Sequence, residues 1–272
     1  MLSLKNIYKT FEPGTPSEKK VFDNLSLEVA DGDFITIIGS NGAGKSTLFN
    51  LIAGSFLTDK GSIILDGKNI TMTPEHERAR VIGRLFQDPL KGTAPGMTIE
   101  ENLALAAGKG GWLSSVAKKE KREFRERLSL LNMGLEDRMN HPVGLLSGGQ
   151  RQALTLMMAT FNTPKLLLLD EHTAALDPAT SEKVMEITNR MVQDNKITCM
   201  MITHNMEAAL SSGNRTIMMN DGNVVVDASG EDRSKLTVND LLDLFSEASG
   251  NRLDNDRILL TTGDGVSSPF CK

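Results

Sequence analysis

The sequence predicts an α/β fold built around a parallel sheet, and three observations carry that prediction. Phe34 to Ile38 is a short, unbroken apolar run, the kind that is buried on both faces of a sheet. A glycine-rich loop and a helical pattern follow it directly. After Gln150 the pattern alternates: helix, strand (Leu166 to Leu169), helix, strand (Thr198 to Ile202), helix. Strands alternating with helices pair in parallel through right-handed crossovers.

The elements can be read in order. Leu2 to Phe11 reads as a strand, and Glu12 to Ser17, with Pro13, Gly14 and Pro16, as a turn. Val21 to Val29 alternates as a second strand and ends at Ala30-Asp31-Gly32-Asp33. Ser46 to Ala53 reads as a helix after the glycine loop. Gly61 to Leu65 and Val81 to Phe86 read as strands around the turn Asp66-Gly67. Met97 to about Ala107 reads as a helix. Lys118 to Leu131 is a strongly charged helix, read as a solvated face supported by pairs such as Glu123 with Arg127. Thr216 to Met219 and Val224 to Val226 form a hairpin around Asp221-Gly222. The chain from Glu231 on is polar, with one helical stretch from Val238 to Ala248, and is expected to pack on the body.

Composition narrows the function. The chain has 272 residues, enough for one large domain or two small ones. Hydrophobic residues at 39% and charged residues at 24% indicate a globular chain rather than a disordered one. A net charge of -5 argues against gripping nucleic acid by bulk charge. Cys199 and Cys271 are the two cysteines, at no metal-ligand spacing, so a reducing compartment is expected. The N-terminus lacks a signal-peptide pattern, and no window holds the roughly 20 apolar residues of a membrane helix.

Gly39-Ser40-Asn41-Gly42-Ala43-Gly44-Lys45-Ser46 fits G-x-x-x-x-G-K-[ST] between a strand and a helix, with Thr47 next. Glycines let the loop turn its N–H groups inward toward phosphate oxygens, and the helix adds the positive end of its dipole. Lys45 would reach the β- and γ-phosphates, and the Ser46 hydroxyl suits Mg²⁺. Leu166-Leu167-Leu168-Leu169-Asp170-Glu171 is a buried strand ending in two carboxylates, at the ligand-binding edge of a parallel sheet. There Asp170 would hold Mg²⁺, and Glu171 would orient or deprotonate the attacking water.

Leu146-Ser147-Gly148-Gly149-Gln150 sharpens the reading. With the phosphate loop, Gln87 after a strand, Asp170-Glu171, Ala175-Leu176-Asp177, and His204 after a strand, the sequence resembles the ATP-binding-cassette (ABC) ATPases over nearly its whole length. The resemblance implies a RecA-like parallel-sheet core, an antiparallel β subdomain, and a helical subdomain inserted at about residues 88–160. The ATPase domain would span residues 1–245 and a C-terminal tail 246–272.

The resemblance also implies roles. Two copies, or this chain and a related ATPase, would sandwich two ATP molecules. Ser147, Gly148, Gly149 and Gln150 of one subunit would meet the γ-phosphate held by the other. Gln87 would contact Mg²⁺ and the attacking water and sense a membrane permease; His204 would hydrogen-bond the γ-phosphate; Asp177 would contact the opposite phosphate loop. Phe11 matches the aromatic that stacks on adenine, with Tyr8 as its competitor.

The stretch Arg84 to Pro95, with Glu171 to Pro178, looks like that of bacterial uptake ATPases that work with binding lipoproteins, some linked to aromatic amino acids. The chain would then sit on the cytoplasmic face of the cell membrane, with Leu90 and Met97 docking the permease. An exporter subunit, or a soluble ABC ATPase such as an iron–sulfur assembly factor, is the competing reading. His172 stands where the family more commonly has Pro; it reads as a surface residue, with a pH-sensitive role as the alternative.

Overall fold

A computed structural model of the chain describes residues 1–108 and 116–249. Two sheets organise it. The first is antiparallel, in the order β2-β1-β4-β5, from β1 (Leu2–Phe11), β2 (Lys19–Val29), β4 (Lys60–Leu65) and β5 (Lys68–Asn69). The second has the order β10-β9-β3-β8-β7-β6. Its members are β3 (Phe34–Gly39), β6 (Ile82–Leu85), β7 (Leu166–Asp170), β8 (Thr198–Ile202), β9 (Arg215–Asn220) and β10 (Asn223–Ser229). All its pairings are parallel except that of the edge strand β10. This is the predicted α/β core with an antiparallel subdomain.

The parallel strands are apolar on both faces, and alternate residues enter different cores. Ile35, Ile37, Leu166, Leu168, Met200 and Ile202 pack with α1 (Lys45–Ala53) and with the antiparallel sheet. Phe34, Leu167, Leu169, Cys199 and Met201 pack on the other side. That side holds α3 (Ile99–Ala106), α4 (Lys118–Ser129), α5 (Gly148–Ala159) and α6 (Pro178–Asp194). The phosphate-loop helix and the helix of Ser147 to Gln150 therefore lie on opposite faces of one sheet.

Two short helices escape the sequence reading. The first, α2 (Glu75–Arg78), is four residues long and carries no periodicity to detect. Its purpose is visible in Arg78, which is 1% exposed. The guanidinium donates to the carbonyls of Thr73, Leu51, Ile52 and Thr71 at 2.8–2.9 Å, satisfying carbonyls at the end of α1. After α7 (Met206–Ser211), α8 (Gly230–Ser234) is the second. It delivers Arg233, which donates to Thr216 Oγ1 at 2.9 Å and to the carbonyls of Ala209, Leu210 and Ser212 at the end of α7. The last helix, α9 (Val238–Ser249), lays Leu241 and Phe245 against Ile38, Met206, Ala209 and Met218, so this helix packs on the body. Cys271 and residues 250–272 of the expected tail lie outside the described residues. The charged helix α4 buries only Phe124 and Leu128 and pairs Arg122 with Glu126 and Arg127 with Glu123, both at 3.1 Å, as a solvated face should.

Candidate active site

The phosphate loop leaves β3 at Gly39, whose φ of 149° and position allow no side chain: a Cβ there would stand 2.1 Å from the carbonyl oxygen of Met219. The loop closes at Gly44, which enters α1 in the left-handed region at φ 99° with no side-chain cap on the helix. The first N–H groups of α1 thus have no capping side chain, an arrangement suited to receiving an anion. Lys45 is 5% exposed, and its Nζ donates to the carbonyls of Gly39 at 2.7 Å and Ser40 at 3.0 Å. Ser46 stands exposed in the first turn, beside Thr47. The hairpin of β9 and β10 braces the loop from the side: the Gly222 N–H donates to the Ala43 carbonyl at 3.1 Å. Asn41 and Gly42 lie exposed at the loop tip.

Phe22 packs directly against Gly44 of the loop, while the two candidates for stacking on adenine are Phe11 and Tyr8. Phe11 pairs with Lys19 across β1 and β2, and the Lys19 ammonium lies 3.9 Å from where a Gly42 Cβ would be. The strand end therefore brings Phe11 toward the phosphate loop. Its ring meets Phe56 edge-on at 5.3 Å, with Lys9 at 5.4 Å from its centroid. Tyr8 lies under the Lys60 ammonium instead.

The strand β7 delivers the carboxylates. Leu166 to Leu169 are fully buried and Asp170 is half-buried at the strand end. Burial raises the Asp170 pKa, against the opposing charges of Arg84 and Lys45. Such a carboxylate gains from a cation beside it. Glu171 turns off the strand with φ 47°, a left-handed conformation unusual for a non-glycine residue. Its Oε1 lies 2.6 Å from His204 Nε2. That hydrogen bond lowers the Glu171 pKa against the cost of burial, with help from the charges of His204 and Lys45. Glu171 is an ionised carboxylate at neutral pH, able to accept a proton from water.

Gln87 lies with Asp170, Asn50 and Arg84 on a cleft of about 590 Å³. Among the described residues no group of three or more His, Cys, Asp or Glu side chains is placed to hold a metal ion on its own. Ser46, Gln87 and Asp170 offer oxygen donors, which suit a hard dication that takes its remaining ligands from phosphate and water.

On the other face of the sheet, Ser147 caps α5. Its Oγ accepts from the Gln150 N–H at 3.2 Å, and Gln150 Oε1 accepts in return from the Ser147 N–H at 3.2 Å. Gln150 Nε2 also donates to the Met133 carbonyl, so its side chain is engaged within its own subunit. Ser147 and Gly148 are exposed. Gly149 is buried where a Cβ would stand 2.1 Å from Thr180 Cγ2 of α6. Asp177 caps α6, accepting from the Thr180 N–H at 3.1 Å, and this bonding to Thr180 lowers its pKa.

Two residues near the site take places the sequence did not reveal. His172 is not on the surface: it is 3% exposed, with Nε2 3.1 Å from Thr188 Oγ1. Burial lowers its pKa to about 4, which holds it neutral from pH 6 to 8 and removes a switching role there. Arg84 stands between α1 and Phe86; the sequence marked it only as part of the stretch Arg84 to Pro95 and gave a catalytic role there to Gln87 alone.

Comparison with known proteins agrees with this geometry. A family model described as ABC transporter matches residues 22–174. A tyrosine transport ATP-binding protein of Clostridioides difficile (strain R20291) is 43% identical over 250 residues, covering 91% of this chain and all of that protein. The uncharacterized ABC transporter ATP-binding protein YknY of Bacillus subtilis (strain 168) is 35% identical, covering 85% of this chain and 98% of its own. Among solved structures, a dimeric ATP-binding cassette in a post-hydrolysis state with bound ADP and phosphate aligns with a TM-score of 0.71 at 30% identity, covering 84% of this chain and 98% of that one. A nucleotide-free cassette from an ABC transporter aligns at 0.73 and 25% identity, covering 97% and 99%. The phosphate loop, the paired carboxylates and these matches together show that the chain belongs to the ABC transporter family, as an ATP-binding subunit that hydrolyses ATP.

Proposed function

We propose that this chain powers the uptake of a small solute, of the amino-acid class, through a separate membrane permease. The observation that carries the paired mechanism is the placement of the phosphate loop and Ser147 on opposite faces of one sheet. One chain does not bring both to the same phosphate, so two subunits, arranged head to tail, complete two sites. The dimeric cassette of similar fold supports this arrangement. Phe11 stacks on adenine, and the loop from Gly39 to Ser46 cradles the phosphates, with Lys45 turning from its carbonyl partners to the β- and γ-oxygens. Ser46, Gln87 and Asp170 would hold Mg²⁺, which would screen the phosphate charge. His204 leaves Glu171 for the γ-phosphate, and the freed carboxylate takes the proton of the attacking water. Ser147 with Gly148 and Gly149 of the opposite subunit donates to the same γ-phosphate, and Asp177 contacts the opposite loop, so ATP closes the pair and hydrolysis releases it.

The docking site is a groove of about 470 Å³ lined by Phe86, Gly92, Ala106, Thr155 and Met158. Leu90, 42% exposed, lies two residues before Gly92 of the groove lining, and Met97 is half-buried further along the chain. No helix among the described residues is long and apolar enough to cross a membrane. In this reading the membrane path belongs to the partner, and this subunit sits on the cytoplasmic face. The name of the tyrosine transport relative supports the amino-acid class. An uptake system of this type includes an extracytoplasmic binding protein. Co-purification of the tagged chain from solubilised membranes tests the reading. Recovery of a multi-span permease, lost in Leu90→Asp, is the expected result. Recovery of soluble partners only would overturn it.

A further inference from the structure

Arg84 touches both sides of the wall between the groove and the nucleotide site. Its Nη2 donates to Asn50 Oδ1 at 2.7 Å, and its Nη1 to Ser55 Oγ at 3.3 Å. Ser55 in turn donates to Glu75 at 2.7 Å. The guanidinium carbon stands 4.6 Å from the centroid of the Phe86 ring, which lines the groove and precedes Gln87. Asn50 is four residues beyond Ser46 in α1, one turn away on the same helix face. Arg84 Nε is buried with no hydrogen-bond partner among the described residues, so the fork is anchored at its tip and by stacking alone. The residue lines both the 470 Å³ groove and the 590 Å³ cleft that holds Gln87 and Asp170.

We propose that Arg84 is a positioning residue that ties the floor of the groove to the magnesium side of the nucleotide site, gripping α1 through Asn50 while lying on Phe86. A displacement of Phe86 moves the guanidinium, and the guanidinium moves Asn50 and with it the turn of α1 that carries Ser46. A planar fork does this where a flexible ammonium does not, because two N–H bonds and a stacked face are held at once.

The tie rests on the docking reading only for what fills the groove, and the two are tested apart. The test uses the isolated full chain and needs no permease. ATP affinity is measured by calorimetry across a series of Mg²⁺ concentrations, and the midpoint of the Mg²⁺ effect is read. Arg84→Met, Asn50→Ala and Phe86→Leu are each expected to move that midpoint at least threefold. The double variant Arg84→Met/Phe86→Leu is expected to move it no further than Arg84→Met alone, as residues in one chain of contacts should. Arg84→Lys keeps the charge without the fork and is expected to shift as Arg84→Met does; if Arg84→Met does not fold, Arg84→Lys and its double variant with Phe86→Leu carry the comparison. A wild-type midpoint in Phe86→Leu or in Arg84→Lys, or shifts that add, would overturn the tie. A chain that captures no permease yet shows the coupled shifts would overturn the docking reading and leave the tie standing.

Discussion

At Glu171 a single atom pair makes the catalytic assignment testable. Glu171→Gln keeps the shape and removes the base, so hydrolysis is expected to fall about 100-fold or more while ATP still binds. Phosphate release and nucleotide binding, measured on the same preparation, check this. Wild-type turnover would remove Glu171 from the role. Lys45→Ala should instead weaken ATP binding itself, read by calorimetry, because it removes a charge held against phosphate. His172 yields a pH prediction. Its folded-state pKa of about 4 lies below the ordinary 6.5, so between these values the unfolded chain binds the extra proton. Its contribution to stability is whole above pH 6.5 and drains as pH falls toward 4, by about 2 kcal/mol between pH 7 and pH 5. Urea unfolding at the two pH values should show that loss, and His172→Gln should flatten it. These residues also mark what the sequence could tell. Lys45, Asp170 and Glu171 were legible because their chemistry rests on local spacing: a loop of eight residues, a strand and its end. His172 was not, because its hydrogen-bond partner Thr188 lies sixteen residues away on the next helix.

Elements succeed or fail by who packs against them. Gly149 on α5 faces Thr180 on α6, with a 2.1 Å approach for any added Cβ. Gly149→Ala should destabilise by about 1–3 kcal/mol through overpacking, and Thr180→Ala in the same chain should recover most of it. Denaturant midpoints decide. Loss with no recovery would place the strain elsewhere. Arg233→Met strips the end of α7 of its guanidinium and leaves carbonyls there without that donor, so a loss of about 2 kcal/mol is expected in the same assay. The long strands and helices were legible from periodicity, and most ends agree within a few residues: Met97 to Ala107 was read where α3 spans Ile99–Ala106, and Val81 to Phe86 where β6 spans Ile82–Leu85. The short helices α2 and α8 were not, since each exists to aim one arginine at carbonyls far along the chain.

For the whole molecule, the separation of the two half-sites sets a rule for mixtures. Lys45→Ala and Ser147→Arg chains should each be inactive alone. Mixed, their hybrid dimers keep one complete site, and random pairing predicts recovery of roughly a quarter of wild-type hydrolysis. A mixture that stays dead would argue against shared sites. This division was legible only in part: the order of motifs announced a pairing, but which face each motif occupies follows from strand order and side-chain alternation. The same alternation fills the strands flanking the phosphate loop with methionine, namely Met200 and Met201 on β8 and Met218 and Met219 on β9, and Met219 pairs directly with Gly39. Each carries a terminal methyl group, so the core comes with its own spectroscopic probes. Chain grown with ¹³C-methyl methionine would report, by magnetic resonance, how the centre of the sheet answers nucleotide, with no foreign label placed near the loop.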